Sequence, residues 1–165
     1  MDMFIEKIVK RKKSAADILL IALIILVCVV ASYFLFLYIP TFSSLFVVLL
    51  IYAGYYLISI RNVEFEYAVT NGDIDIDTII NQRKRKRLFS GNVKDFEVMA
   101  RVKSDKYTTH IRECKNVKDF TSHDEKADVW FIYLNQGEPS VILFEPDSKM
   151  VDTLFTFAPR VVHRN

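Results

Sequence analysis

Cysteine is scarce in this chain, with two in 165 residues. Cys28 lies inside a long apolar run and Cys114 lies in the polar part that follows, so the two do not pair. That excludes a disulfide framework and fits a reducing compartment. Glycine is equally scarce, with four residues in all, and none forms a Gly-rich phosphate loop. There is no CxxC, no HExxH and no G-x-S-x-G, and Ser90-Gly91 sits in a turn signal. These absences remove the common sequence routes to zinc binding, nucleotide binding and serine-type hydrolysis. No enzymatic activity, catalytic residue or cofactor is therefore expected.

Charge is missing where it matters most. Ala15 to Ile60 carries only Asp17, followed by 43 uncharged residues interrupted by Pro40-Thr41. A membrane-spanning helix needs about 20 mostly apolar residues. The run is too long for one span and sufficient for two, which predicts a transmembrane hairpin over 17–60, with helices over 17–39 and 42–60. A removable signal peptide has an apolar core of about 7–15 residues, so an uncleaved anchor is expected instead. The hairpin divides the chain into a basic N-terminal segment (1–16), the hairpin itself and one soluble domain (61–165).

The net charge of +2 is distributed unevenly. Residues 1–60 hold five basic and three acidic side chains, and residues 61–165 hold 17 of each. A neutral domain is not a bulk electrostatic binder of nucleic acid. Lys7, Lys10, Arg11, Lys12 and Lys13 precede the first span, and Arg61 and Arg83–Arg87 follow the second. The connection at Pro40-Thr41 has no charge. The positive-inside rule then predicts a multi-pass protein of the plasma membrane with both termini cytoplasmic.

After Arg61 the period becomes two. Val63, Phe65, Tyr67 and Val69 alternate with Asn62, Glu64, Glu66 and Ala68, and Asn71-Gly72 marks a hairpin turn. Asp73–Asp77 alternates again, and a connection at Ile80–Gln82 leads into the basic segment Arg83–Phe89. Ser90–Asn92 predicts another turn and Val93–Val102 a strand with Phe96, Val98 and Ala100 on one face. The polar stretch Lys103–Asp128 offers a strand near Tyr107–Arg112. Val129–Leu134 and Val141–Phe144 are short apolar runs split by Asn135-Gln136-Gly137, which predicts a central hairpin with Trp130 in the core. Asp147 is a helix N-cap, and Met150, Val151, Leu154, Phe155, Phe157 and Ala158 share one helical half until Pro159. About seven strands and one C-terminal amphipathic helix result.

The stretch YAVTNGDIDIDTIINQRKRKRLFSGNVKDFEVMARV resembles the front half of bacterial pleckstrin-homology-like (PH-like) domains, down to the strand start at Val93-Lys94-Asp95-Phe96. The whole chain is similar to a small bacterial membrane-protein family with a two-helix transmembrane hairpin followed by such a domain. The resemblance implies an α+β membrane protein. Its cytoplasmic domain would be an antiparallel β-barrel or sandwich, closed by the C-terminal helix. It implies no assigned reaction.

The strongest local feature is Arg83, Lys84, Arg85, Lys86 and Arg87. One reading is a patch for anionic lipid head groups or an acidic partner. A strand of about eight residues runs roughly 26 Å from the membrane at about 3.3 Å per residue, and the next returns, bringing the patch back toward the lipid. The other reading is a cross-strand ladder. With the hairpin centred at Ile80, Asp77 faces Arg83, Asp75 faces Arg85 and Asp73 faces Arg87, each pair contributing about 0.2–1 kcal/mol. The two coexist, because Lys84 and Lys86 are left over. A calcium loop starting at Asp73 is rejected, since its sixth and twelfth positions hold Thr78 and Lys84 instead of Gly and Glu. His110, Cys114, His123 and Asp124 lack metal-site spacing and are read as loop residues. The function expected is a membrane-anchored interaction module that binds a protein partner or itself. Anionic-lipid sensing, or service as an accessory subunit of a membrane enzyme or transporter, are the alternatives.

Overall fold

The computed structural model describes residues 4–135 and 137–164. Within them the chain divides into two compact units, one drawn from Met1–Arg11 and Glu64–Asn165, the other Lys12–Val63. The second is a pair of helices, α1 (Ala15–Tyr38) and α2 (Ser43–Ser59). Ser14 caps α1 by accepting from the Asp17 N–H at 3.2 Å, and the Asp17 carboxylate accepts from the Ser14 N–H at 3.1 Å. This capping box fixes the helix start at the edge of the apolar run. The chain turns at Pro40, whose carbonyl accepts from the Ser43 hydroxyl at 2.9 Å. At 24 residues, α1 is long and apolar enough to cross a membrane, whereas α2 has 17.

The helices pack closely at one point. A Cβ on Gly54 would meet the Cys28 sulfur at 2.9 Å, so a larger residue there must push the Cys28 side chain aside. At the open end, the Arg61 guanidinium pairs with the Asp17 carboxylate at 3.0 Å.

The first unit is a two-sheet domain closed by a helix. One sheet has the order β1-β2-β3-β4, from Phe4–Lys10, Val63–Thr70, Asp73–Ile80 and Lys84–Asn92. The other has the order β5-β7-β8-β6, from Val98–Arg101, Trp130–Leu134, Ser140–Phe144 and Asn116–Asp119. Strand β1 comes from the segment read as a basic tail. Its Ile5, Lys7 and Val9 lie opposite Val69, Tyr67 and Phe65 in antiparallel register. Its own alternation, FIEKIVK, carries the strand signal, which the lysines obscure. The helical unit is therefore an excursion between two neighbouring strands of one sheet.

Asn71 and Gly72 make the expected turn, at φ 52° and 92°. Gly72 is required twice over, because a Cβ there would also lie 3.0 Å from the Phe157 ring. Strand β4 runs through Ser90–Asn92, where a turn was expected. The three residues Val93–Asp95 form a 3-10 turn, which shortens the expected Val93–Val102 strand to Val98–Arg101. Around Tyr107–Arg112 the chain forms a short helix, α3 (Thr109–Arg112), instead of a strand. Strand β6 lies parallel to β8, so the second sheet is mixed, not purely antiparallel. The β7–β8 hairpin stands as expected, although Gln136 in its turn lies outside the described residues.

Both faces of β7 are buried, which explains its unbroken apolar run. Phe131 and Tyr133 pack with Ala100, Ile111 and Val141 under α3. On the other face Ile132 lies between Met99 and Ile142. Sheets one and two meet through Tyr67 against Phe144 and Phe65 against Phe120, with ring centroids 5.7 and 5.8 Å apart. Helix α4 (Ser148–Phe157) is capped by the Asp147 carboxylate, which accepts from the Met150 N–H at 2.7 Å. It buries Met150, Val151 and Leu154 as its pattern predicts, and also Thr153.

Candidate anion-binding strand

Strand β4 is an edge of the first sheet, and Arg83–Arg87 lie at its start, all exposed. Five successive cations on an edge discourage pairing with a second copy. The turn before them uses Asn81 and Gln82 at φ 51° and 54°, and the Arg83 N–H donates to the Ile80 carbonyl at 3.2 Å. The register then runs Ile80↔Lys84, Ile79↔Arg85, Thr78↔Lys86 and Asp77↔Arg87. A bulge follows, leaving Leu88 without a partner before Ile76↔Phe89.

This overturns the ladder centred at Ile80. Asp77 faces Arg87, Asp75 faces Ser90 and Asp73 faces Asn92. The reason is local: the turn is three residues long and falls after Ile80, and the bulge adds one more step. Two arginines nevertheless remain paired. Arg87 bridges two acids, with Asp77 at 2.6 Å and Asp75 at 2.9 Å. Arg85 reaches across to Glu66 on β2. The Asp73 carboxylate accepts instead from the Asn92 amide at 2.7 Å.

Glu66 is an acid held at low exposure, 6% for its side chain. Loss of solvent, then the neighbouring Glu6 carboxylate, hold its pKa above the ordinary 4.5, while Arg85 pulls it down. Asp77 is also buried, so the outer face of this sheet carries a partly desolvated acid–arginine network. Among the described residues, Arg83, Lys84 and Lys86 have no ion-pair partner. The five-residue run thus splits into two structural arginines and three free cations.

The sequence reading missed a second polar cluster, on the inner face. The Lys7 ammonium donates to the Glu145 carbonyl at 2.7 Å, and the Tyr67 hydroxyl donates to the Phe120 carbonyl at 2.6 Å. The buried Glu145 carboxylate accepts from the Ser122 N–H and hydroxyl at 2.6 and 2.8 Å. Burial, then the Glu145 charge, push the Tyr67 phenol upward. This network ties β1 to the second sheet. Its only sequence signal was a lysine and a tyrosine at apolar-face positions of alternating segments.

The residues weighed as a metal set are not brought together. His110 stacks edge-on against Tyr133 at 6.0 Å, the Cys114 thiol donates to the Pro139 carbonyl at 3.1 Å, and His123 lies 3.6 Å from Asp119. Trp130 is 2% exposed, in the core, with its N–H on Asp128 at 3.1 Å.

Two sheets followed by a C-terminal helix fit the architecture that the resemblance to PH-like domains implied, with the parallel β6 as the departure from it. The family described as Bacterial PH-like domain (DUF6106) matches residues 1–164. The chain belongs to it. No curated protein and no solved structure matches. The match begins at residue 1, so this PH-like family takes in both the first strand and the helical excursion.

Proposed function

We propose that this PH-like protein is a membrane-anchored, non-enzymatic interaction module, with its domain at the cytoplasmic leaflet binding a protein partner or a second copy. The observation that carries the anchoring is the insertion point of the helices. Lys10 and Glu64 are the last pair of the β1–β2 ladder and carry an ion pair at 3.6 Å. Two neighbouring strands of one sheet lie on one side of a membrane. If α1 crosses, the chain must cross back before Glu64, and α2 is the helix available. Its 17 residues span about 25 Å at 1.5 Å each. With Phe42 and Ile60 the uncharged segment reaches the shorter end of the range of about 17–25 residues for spanning helices. The Asp17–Arg61 pair supports a closed hairpin. Lysine and arginine at its base, and none at Pro40-Thr41, favour a cytoplasmic domain. A PH-like domain with no catalytic constellation among the described residues favours binding over catalysis. Extraction in mild detergent tests the partner: a complex heavier than one chain is expected, and a strictly monomeric protein contradicts it.

A second reading has its own observation, the three free cations. Arg83, Lys84 and Lys86 suit anionic lipid head groups, at about 1 kcal/mol per cation near an anionic leaflet. The structural arginines Arg85 and Arg87 take no part. A polarity-sensitive dye on Gln82→Cys, in the full chain reconstituted in liposomes, is expected to shift to the blue when anionic lipid replaces neutral lipid. Lys84→Gln with Lys86→Gln should abolish the shift. A shift that survives both substitutions rules this reading out.

A further inference from the structure

The second sheet has an edge that the chain caps with its own end. Strand β5 is the terminal strand of the order β5-β7-β8-β6. Beyond α4, Met99 forms a parallel bridge with Val162. The Met99 N–H donates to the Val161 carbonyl at 2.9 Å, and the His163 N–H donates to the Met99 carbonyl at 2.8 Å. An edge strand offers such groups to any extended segment. Here the occupant is a short tail in place, and its side chains report what the edge accepts.

Val162 is 1% exposed, so an apolar side chain fills a closed position. Two residues on, the Arg164 guanidinium lies 3.7 Å over the Phe155 ring and 3.1 Å from the Asp152 carboxylate. Its carbonyl accepts from Arg101 at 3.4 Å. The edge thus selects an apolar residue and a cation at i and i+2, one against the core and one against α4. The tail does not fill the groove. A cavity of about 460 Å³ remains beside it, lined by Asp105, Lys106, Phe155, Pro159 and the tail itself. That volume lies within the range of about 300–1,000 Å³ typical of ligand clefts.

We infer that the β5 edge and the flank of α4 form a peptide-docking groove. Its partner is an extended segment bearing an apolar residue and, two positions on, an arginine or lysine, and the C-terminal tail holds the groove closed in its absence. The inference rests on the interaction-module reading and names where and what that module binds.

The probe is a fluorescent seven-residue peptide with the sequence of residues 159–165, read by anisotropy against the full chain in detergent. Deletion of residues 161–165 vacates the edge, and His163→Pro removes one backbone donor while keeping Val162. Both variants are expected to bind the peptide at least ten-fold tighter than the intact chain. Peptide changes equivalent to Val162→Asp or Arg164→Glu should each weaken binding at least ten-fold. If the deletion fails to fold, His163→Pro decides alone. Equal binding to intact and altered chains, or none to a folded variant, overturns the groove. Detergent extraction of the unaltered chain still judges the interaction module separately, by whether a complex is present.

Discussion

Arg85 and Arg87 look equivalent in the sequence and are not. Among the described residues, Arg87 is the ion-pair partner of both Asp75 and Asp77, and Asp77 is 7% exposed. Arg87→Gln strands a buried carboxylate and should cost on the order of 1–3 kcal/mol. Arg85→Gln leaves Glu66 beside Glu6, and Glu66 responds by holding its proton, so the loss should be smaller at mildly acidic pH. Trp130 is the single tryptophan and lies in the core, so its fluorescence during a thermal melt reports both. Equal melting points for the two variants would contradict the division of labour. The same cluster sets a pH dependence. Glu66 has a folded pKa above its ordinary 4.5, so the folded state binds more protons than the unfolded state in that interval. Stability from this group is therefore greatest at low pH and falls as pH rises through the folded pKa. Glu66→Gln, which cannot ionise, should flatten that decline and melt higher than the parent at neutral pH. A variant that melts lower at neutral pH would show that the Arg85 pair outweighs the cost of burying the charge.

Among elements, β1 changes what a stable domain requires. A chain of residues 61–165 alone lacks it, and with it the buried Val9 and the Lys7 bond to Glu145. It should expose the β2 edge and associate. Joining residues 4–11 to 63–165 through Asn-Gly restores the Lys10↔Glu64 register and should give a monodisperse domain by light scattering. A monodisperse, equally stable 61–165 chain would show that β1 is dispensable. How far the elements were legible follows from how local their causes are. The Asn71-Gly72 turn, the Asp147 cap and the β7–β8 hairpin depend on neighbouring residues, and all were readable. Strand β6 was not, because NVKD becomes a strand only by lying parallel to β8, far along the chain. Helix α3 is held by the apolar cluster around Ile111 and Phe131, again a tertiary cause. The basic strand was readable as an element, but its partners were not. A three-residue turn and a bulge at Leu88 shifted them, and neither carries a glycine signal.

In the whole molecule, a helical excursion stands between two paired strands. That placement allows an even number of membrane crossings and no odd number. It also makes the connections short: four residues separate β1 from α1, and three separate α2 from β2. The most direct measurement is thiol labelling of the full chain in intact cells, with Cys28 and Cys114 replaced by serine. A membrane-impermeant reagent should modify Thr41→Cys in intact cells, and Lys118→Cys on the exposed β6 only after the membrane is opened. Labelling of Lys118→Cys from outside, or of Thr41→Cys only after opening, would contradict a two-span anchor carrying a cytoplasmic PH-like domain.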